Sequence, residues 1–177
     1  SERIAIANYY SVNCPADVFR GIFEEYTAKL KESRKIDFED MLCYTYELLA
    51  ARKDILAAWQ GKFQYILIDE FQDINKIQYD TIRLLAAPEN NLFIVGDDDQ
   101  SIYGFRGSKP DIMLNFGKDY KDAKRVLLDV NYRSEPEIVK AAGDVIRFNN
   151  KRYKKEIRTS RSGGGAVVVS QTKDFID

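Results

Sequence analysis

A chain of 177 residues is long enough for one ordinary domain, which at this size buries about 70% of its unfolded surface. Hydrophobic residues make up 45% and charged residues 31%, and no apolar run nears the roughly 18 residues of a membrane helix, which speaks against a spanning or intrinsically disordered chain. The 27 basic and 28 acidic residues nearly cancel, so no global positive field attracts a polyanion, and the lack of histidine removes imidazole catalysis and histidine-ligated zinc.

Catalysis in this chain therefore has to rest on carboxylates. The two cysteines, Cys14 and Cys43, stand too far apart for a CxxC metal or redox motif, and a reducing, cytoplasmic setting is the expectation. A first residue of Ser1 and no leader-like segment point to a piece of a longer polypeptide.

After Pro15, the spacing of Val18, Phe19, Ile22, Phe23, Tyr26 and Leu30 predicts an amphipathic helix ending near Ser33. Asp37 reads as an N-cap with Asp40 at the third helical position, opening a helix to about Ala51. A short helix from Asp54 to Gln60 is broken by Gly61. Tyr65-Ile66-Leu67-Ile68 is a continuous apolar run, as in a parallel strand covered on both faces, and it ends in Asp69-Glu70. A helix from about Asn75 to Ala87 stops at Pro88, and Leu92 to Val95 is a second strand that stops at Gly96 and three aspartates.

Val126 to Leu128 reads as a third strand and Ala166 to Ser170 as a fourth. Between them, Ser134-Glu135-Pro136-Glu137 reads as a capping box opening a helix through about Phe148, and Ser162-Gly163-Gly164-Gly165 as a flexible connector. The alternation of strand and helix predicts an α/β fold, a parallel sheet with flanking helices preceded by a helical block. In such sheets ligands sit at the carboxyl ends of the strands, where both acidic clusters fall.

A carboxylate at a strand tip can hold hydrated magnesium while its neighbour orients or deprotonates an attacking water, which nucleotide hydrolysis requires. Strand ends also carry solvated acids routinely, so Asp69-Glu70 alone leaves both readings open. Gly96 to Ser108 is poor in aliphatic residues and sets Tyr103 and Phe105 beside Arg106. Rings next to a guanidinium are a platform for unstacked bases, and the alternative is a turn whose rings pack locally. From Arg147 to Arg161 seven basic residues stand against Glu156 alone, which suits either DNA phosphates or, more commonly, a solvated charged loop.

Three segments carry a specific resemblance: Asp69-Glu70-Phe71-Gln72-Asp73, Gly96-Asp97-Asp98-Asp99-Gln100-Ser101-Ile102-Tyr103-Gly104-Phe105-Arg106-Gly107, and Leu128-Asp129-Val130-Asn131-Tyr132-Arg133-Ser134. In order and spacing they resemble motifs II, III and IV of the UvrD/Rep/PcrA family of superfamily 1 DNA helicases. Asp37 to Leu42 resembles that family's Asp-Phe-x-Asp-Leu helix, so the similarity covers residues 37 to 150.

The resemblance implies a partial RecA-like fold: residues 1–36 as a helical segment of an insertion, 37–125 as the end of the first lobe, and 126–177 as the start of the second. It implies ATP and Mg2+ as cofactors and single-stranded or 3′-tailed duplex DNA as partner, with 3′ to 5′ movement. By the same resemblance, Asp69 holds the metal, Glu70 is the catalytic base, and Gln100 senses the γ-phosphate. Tyr103, Phe105 and Arg106 meet the DNA strand, Tyr132 stacks on adenine, and Arg133 reaches the γ-phosphate as an arginine finger. Phe105 stands where the family usually has tryptophan.

A P-loop is absent from these residues: Gly61-Lys62 and Gly117-Lys118 lack both the earlier glycine and the following hydroxyl. The expectation is an internal segment of a larger helicase that does not hydrolyse ATP alone and whose missing remainder is a required partner. Two other classes fit parts of the sequence: a non-catalytic single-stranded DNA-binding or regulatory module, and a metal-dependent nuclease using Asp69, Glu70 and Asp97.

Overall fold

The computed structural model describes Tyr9 and residues 12–171, and the chain divides into two compact units, Ser1–Asn115 and Phe116–Asp177. In the first unit, Pro15 precedes α1 (Ala16–Glu32), whose apolar stripe of Val18, Ile22, Phe23 and Tyr26 is exposed. α2 (Phe38–Ala51) opens on a capping box: Asp37 Oδ1 accepts from the Asp40 amide at 2.8 Å and Asp40 Oδ2 accepts from the Asp37 amide at 3.4 Å. Tyr26 donates its hydroxyl to Asp37 Oδ2 at 2.9 Å and ties α1 to this cap. Those bonds lower the Asp37 carboxyl's pKa, the Asp40 amide being the larger cause, and raise that of the Tyr26 phenol.

α3 (Lys53–Lys62) runs through Gly61, at which a Cβ would meet nothing within 4 Å, so the predicted break falls inside its last turn. β1 (Ile66–Ile68) and β2 (Leu92–Ile94) pair in parallel with Ile66 opposite Leu92 and Ile68 opposite Ile94. α4 (Lys76–Ala86) forms the crossover between them and has its own capping box, Asn75 with Gln78. Leu49 of α2, Leu56 of α3 and Ile77, Tyr79 and Ala86 of α4 are buried, with Phe71 set edge-on to Tyr79 at 6.0 Å between ring centroids. Gln60 anchors α3 to α4 through a bond from Nε2 to the Leu84 carbonyl.

The strands depart from the expectation of cover on both faces. Leu67 and Phe93, paired across the ladder, are 70% and 59% exposed, while Ile66, Ile68, Leu92 and Ile94 are half-buried. The period of two along each strand puts one face of this two-stranded sheet in solvent. α5 (Pro110–Leu114) closes the first unit.

In the second unit α6 (Phe116–Asp119) is followed by β3 (Val130–Asn131), α7 (Pro136–Ile146) and β4 (Arg158–Thr159), with β3 and β4 parallel. Both strands predicted here fall elsewhere. Val126 to Leu128 lies outside any strand with Val126 79% and Leu128 78% exposed, and Val168 and Val169 are likewise unpaired and exposed. An apolar run becomes a strand only with a neighbour to bond, and in this unit the pairing falls on Val130-Asn131, inside the third motif, and on Arg158-Thr159.

The predicted capping box at Ser134 is also replaced. Glu135 is the N-cap of α7, without a side-chain cap bond, and Pro136 is the first helical residue. Nor does the glycine stretch hang free. Gly163 and Gly164, at φ 89° and 117°, donate their amides to Glu135 Oε2 and Glu137 Oε1 at 3.1 and 3.2 Å. Such backbone angles favour glycine, and the wrap is what that sequence provides. Among the described residues, no helix is long and apolar enough to cross a membrane.

Candidate functional site

The first acidic cluster stands where β1 ends. Ile68 still pairs, its carbonyl accepting from the Val95 amide at 2.8 Å, and the Phe71 amide returns to the Val95 carbonyl at 2.9 Å. Between these two bonds the chain must turn sharply, and Glu70 takes the turn at φ 51°, ψ 40°. A left-handed conformation is uncommon for a residue with a side chain and tends to persist where surrounding structure enforces it, often at functional sites. Asp69 Oδ1 accepts from the Glu70 amide at 2.9 Å, and both carboxylate residues are exposed. Phe71 and Gln72 follow as a buried 3₁₀ turn.

The second cluster follows β2. Gly96 passes so close to the first turn that a Cβ there would lie 2.6 Å from Gln72 Oε1 and 3.1 Å from the Phe71 nitrogen. Its absent side chain is what lets the two strand-end loops touch. Asp97 caps the next turn: Oδ1 accepts from the Asp99 amide at 3.1 Å and Oδ2 from Gln100 Nε2 at 2.8 Å. Asp98 is buried. Glu70, Gln72, Asp73, Asp99, Gln100, Ile102 and Tyr103 line one open cavity of about 460 Å³. The structure thus brings Glu70 and Gln100 together, with Tyr103 at the same cavity, while Asp69 stands beside it on the strand end.

The aromatic loop leaves from this cavity. Tyr103 and Phe105 hold their ring centroids 5.9 Å apart at 56°, Phe105 is 80% exposed, and Gly107 ends the turn at φ 82°. The rings neither enter the core nor stack flat on each other, which leaves aromatic surface for a planar ligand. The side chain of Arg106 lies outside what the structure describes.

In the second unit the third motif also sits at the carboxyl end of a parallel strand. Asn131 Oδ1 accepts from the amides of Arg133 and Ser134, both at 2.8 Å, an Asx turn that fixes the Tyr132-Arg133 backbone. Thr159 Oγ1 donates to the Ser134 carbonyl at 2.7 Å, and Arg161 Nη1 to the Arg133 carbonyl at 3.3 Å. Tyr132 is 75% exposed on this fixed turn, and Arg133 is exposed beside it.

Within the basic stretch, Arg147, Arg158 and Arg161 pair with Asp144, Asp129 and Glu135 at 3.5, 2.6 and 2.7 Å. These pairs are solvent-exposed, where an ion pair contributes little to stability.

Four residues that sequence reasoning passed over complete the first site. Gln72 and Ser101 were legible only as letters in a motif, Gly96 only as a strand stop within one, and Ser108 only as the end of the aromatic segment. Both serine hydroxyls meet the Gln72 carbonyl, at 3.2 and 2.8 Å. No local pattern in the sequence marks them, because the burial of Gln72 and the bonds it makes appear only in the folded chain.

Among the described residues, no group of three or more acidic or cysteine side chains is placed to hold a metal ion. The oxygen donors present suit a magnesium ion held by one carboxylate together with nucleotide phosphates and water, since that ion keeps most of its hydration shell. Asp97, which the nuclease reading needs at the metal, spends both carboxylate oxygens on its own turn.

The fold is α/β, and Glu70 at one strand end and Gln100 and Tyr103 after the other line one cavity. The UvrD/REP helicase N-terminal domain profile matches residues 5–121. A putative ATP-dependent DNA helicase, YjcD, of Bacillus subtilis is 50% identical over 140 residues, covering 79% of this chain and 18% of that protein. ATP-dependent DNA helicases PcrA from Leuconostoc citreum and Staphylococcus epidermidis are 43% and 41% identical, over 83% and 91% of this chain and 20% and 22% of theirs. The chain belongs to the UvrD/Rep helicase family, and it spans about a fifth of the length of these relatives.

Proposed function

We propose that this chain is the hydrolysis and coupling segment of an ATP-driven translocase on single-stranded DNA, working inside the cell as part of a longer polypeptide. One observation carries the reading: Glu70, Gln100 and Tyr103 line a single cavity, so a group that meets the γ-phosphate and a ring that meets a base stand on the same short loop. Family membership and the similarity to ATP-dependent DNA helicases support it.

In this reading ATP supplies the phosphoryl group and Mg2+ its charge neutralisation, with Asp69 as the metal's carboxylate. Glu70 orients the attacking water and takes its proton. Gln100, now bonded to Asp97, exchanges that partner for the γ-phosphate, and its displacement moves the turn that leads into Tyr103 and Phe105. By the family resemblance, Tyr132 and Arg133 are further nucleotide contacts, a ring for adenine and a guanidinium for the γ-phosphate. Tyr103, Phe105 and Arg106 hold the strand, with 3′ to 5′ movement and a single-stranded or 3′-tailed substrate as in the family resemblance.

These residues include no phosphate-cradling lysine loop, so the isolated chain turns over no ATP. The test uses the full-length polypeptide with magnesium and single-stranded DNA. Glu70→Gln should lower DNA-stimulated ATPase at least about 100-fold, in the range that losing a well-placed proton acceptor gives. ATPase left intact by that substitution would remove Glu70 from the reaction and the reading with it.

A further inference from the structure

Gln72 is 2% exposed and satisfies its side chain at two loops at once. Nε2 donates to Glu70 Oε2 at 2.7 Å, and Oε1 accepts from the Asp97 amide at 3.0 Å. Its main-chain carbonyl accepts from Ser101 and Ser108, the hydroxyls that bracket the aromatic loop and stand 3.3 Å from one another. Ser108 is itself buried and pairs with Asn75 through an antiparallel bridge. One residue therefore touches the exposed carboxylate of Glu70, the turn that carries Gln100, and both ends of the loop that carries Tyr103 and Phe105.

We infer that Gln72 is a positioning residue: it fixes the Glu70 carboxylate to take the attacking water's proton and transmits the state of the aromatic loop to it. The inference deepens the proposed function and rests on Glu70 being the base. An exposed glutamate on a left-handed backbone has several rotamers open to it, and a bond from a buried donor to one oxygen selects the rotamer and so orients the other oxygen. Only a side chain with a donor and an acceptor on one terminus meets both loops. The amide of glutamine does so, whereas glutamate keeps the acceptor for Asp97 and loses the donor to Glu70, and methionine keeps the length and loses both.

That difference gives the experiment. In the full-length polypeptide, Gln72→Glu and Gln72→Met are compared with the unaltered protein by ATPase kinetics with and without single-stranded DNA, alongside Glu70→Gln. Both Gln72 variants should lower DNA-stimulated kcat by about 10- to 100-fold, as a small misplacement of a reacting group does. KM for ATP should stay within about 3-fold, and the ratio of DNA-stimulated to basal rate should fall.

A near-normal kcat in Gln72→Glu would show that only the Asp97 tie matters and would overturn the inference. So would a rise in KM that accounts for the loss, an unchanged stimulation ratio, or failure of both variants to fold, which would make the residue purely architectural. ATPase retained by Glu70→Gln removes the proposed function and this role together. Glu70→Gln inactive with Gln72→Glu unaffected removes this role alone.

Discussion

Gly96→Ala is the sharpest perturbation of the junction between the two strand-end loops. The added Cβ would stand 2.6 Å from Gln72 Oε1, 3.1 Å from the Phe71 nitrogen and 3.2 Å from the Gln72 nitrogen. Carbon and carbonyl oxygen normally meet at about 3.3–3.6 Å, so Oε1 has to retreat by about 0.7 Å or more. Oε1 also accepts the Asp97 amide at 3.0 Å, and a shift of that size stretches or breaks the bond. Overpacking costs about 1–3 kcal/mol, and a buried amide left unpaired adds about 1–3 kcal/mol.

A loss of about 2–4 kcal/mol is expected in urea denaturation. A double-mutant cycle with Gln72→Ala separates the cause, because alanine at 72 has no Oε1 to collide with. The cost of Gly96→Ala should then shrink by about 1 kcal/mol or more, with the two backbone contacts accounting for the remainder. A Gly96→Ala variant within about 0.5 kcal/mol of the parent, or one equally destabilised in both backgrounds, would refute the reasoning, since 0.5 kcal/mol is what an ordinary surface change gives.

Asp37→Ala should lose about 1 kcal/mol of stability at pH 7, the usual worth of an N-cap. The folded state lowers the Asp37 carboxyl's pKa, so this stabilisation is complete above its unfolded value near 3.9 and disappears as acid titrates the folded carboxyl; parent and variant should converge there in an acid-denaturation series. Tyr103→Ala and Phe105→Ala should each weaken single-stranded DNA binding by the full-length polypeptide about 5- to 150-fold, the range of one lost base stack, in fluorescence anisotropy at fixed salt. Unchanged affinity in both would assign the rings to local packing.

The Asp37 cap and the helix between the first unit's two strands were legible because they depend on patterns within a few residues. Asp37 with Asp40 and the apolar period of α4 are local patterns, and the structure has both. The strands at Ile66 and Leu92 were legible as apolar runs flanked by acids, but their cover was not, since exposure of Leu67 and Phe93 depends on what else lies near. In the second unit periodicity pointed to Val126 to Leu128 and Ala166 to Ser170, whereas pairing falls on Val130-Asn131 and Arg158-Thr159. There the deciding forces are long-range: Arg158 bonds Asp129 and Thr159 bonds Ser134, partners 29 and 25 residues apart.

The same division runs through the site. Glu70, Gln100 and Tyr103 could be named from their motifs, and the structure places all three at one cavity. Gln72 could not be singled out, because its importance lies in bonds to Asp97, Ser101 and Ser108, up to 36 residues away. Gly96 reads in sequence as a strand stop and in structure as a point of close approach, a distinction that only the facing Gln72 side chain reveals.

The most direct measurement is a structure of the full-length polypeptide with a non-hydrolysable ATP analogue, Mg2+ and a short single strand. The account expects the terminal phosphate within about one water of Glu70 and within direct hydrogen-bond reach of Gln100, Gln100 released from Asp97, and a base against Tyr103 or Phe105. A nucleotide bound with Glu70 and Gln100 both facing solvent away from its phosphates would contradict it.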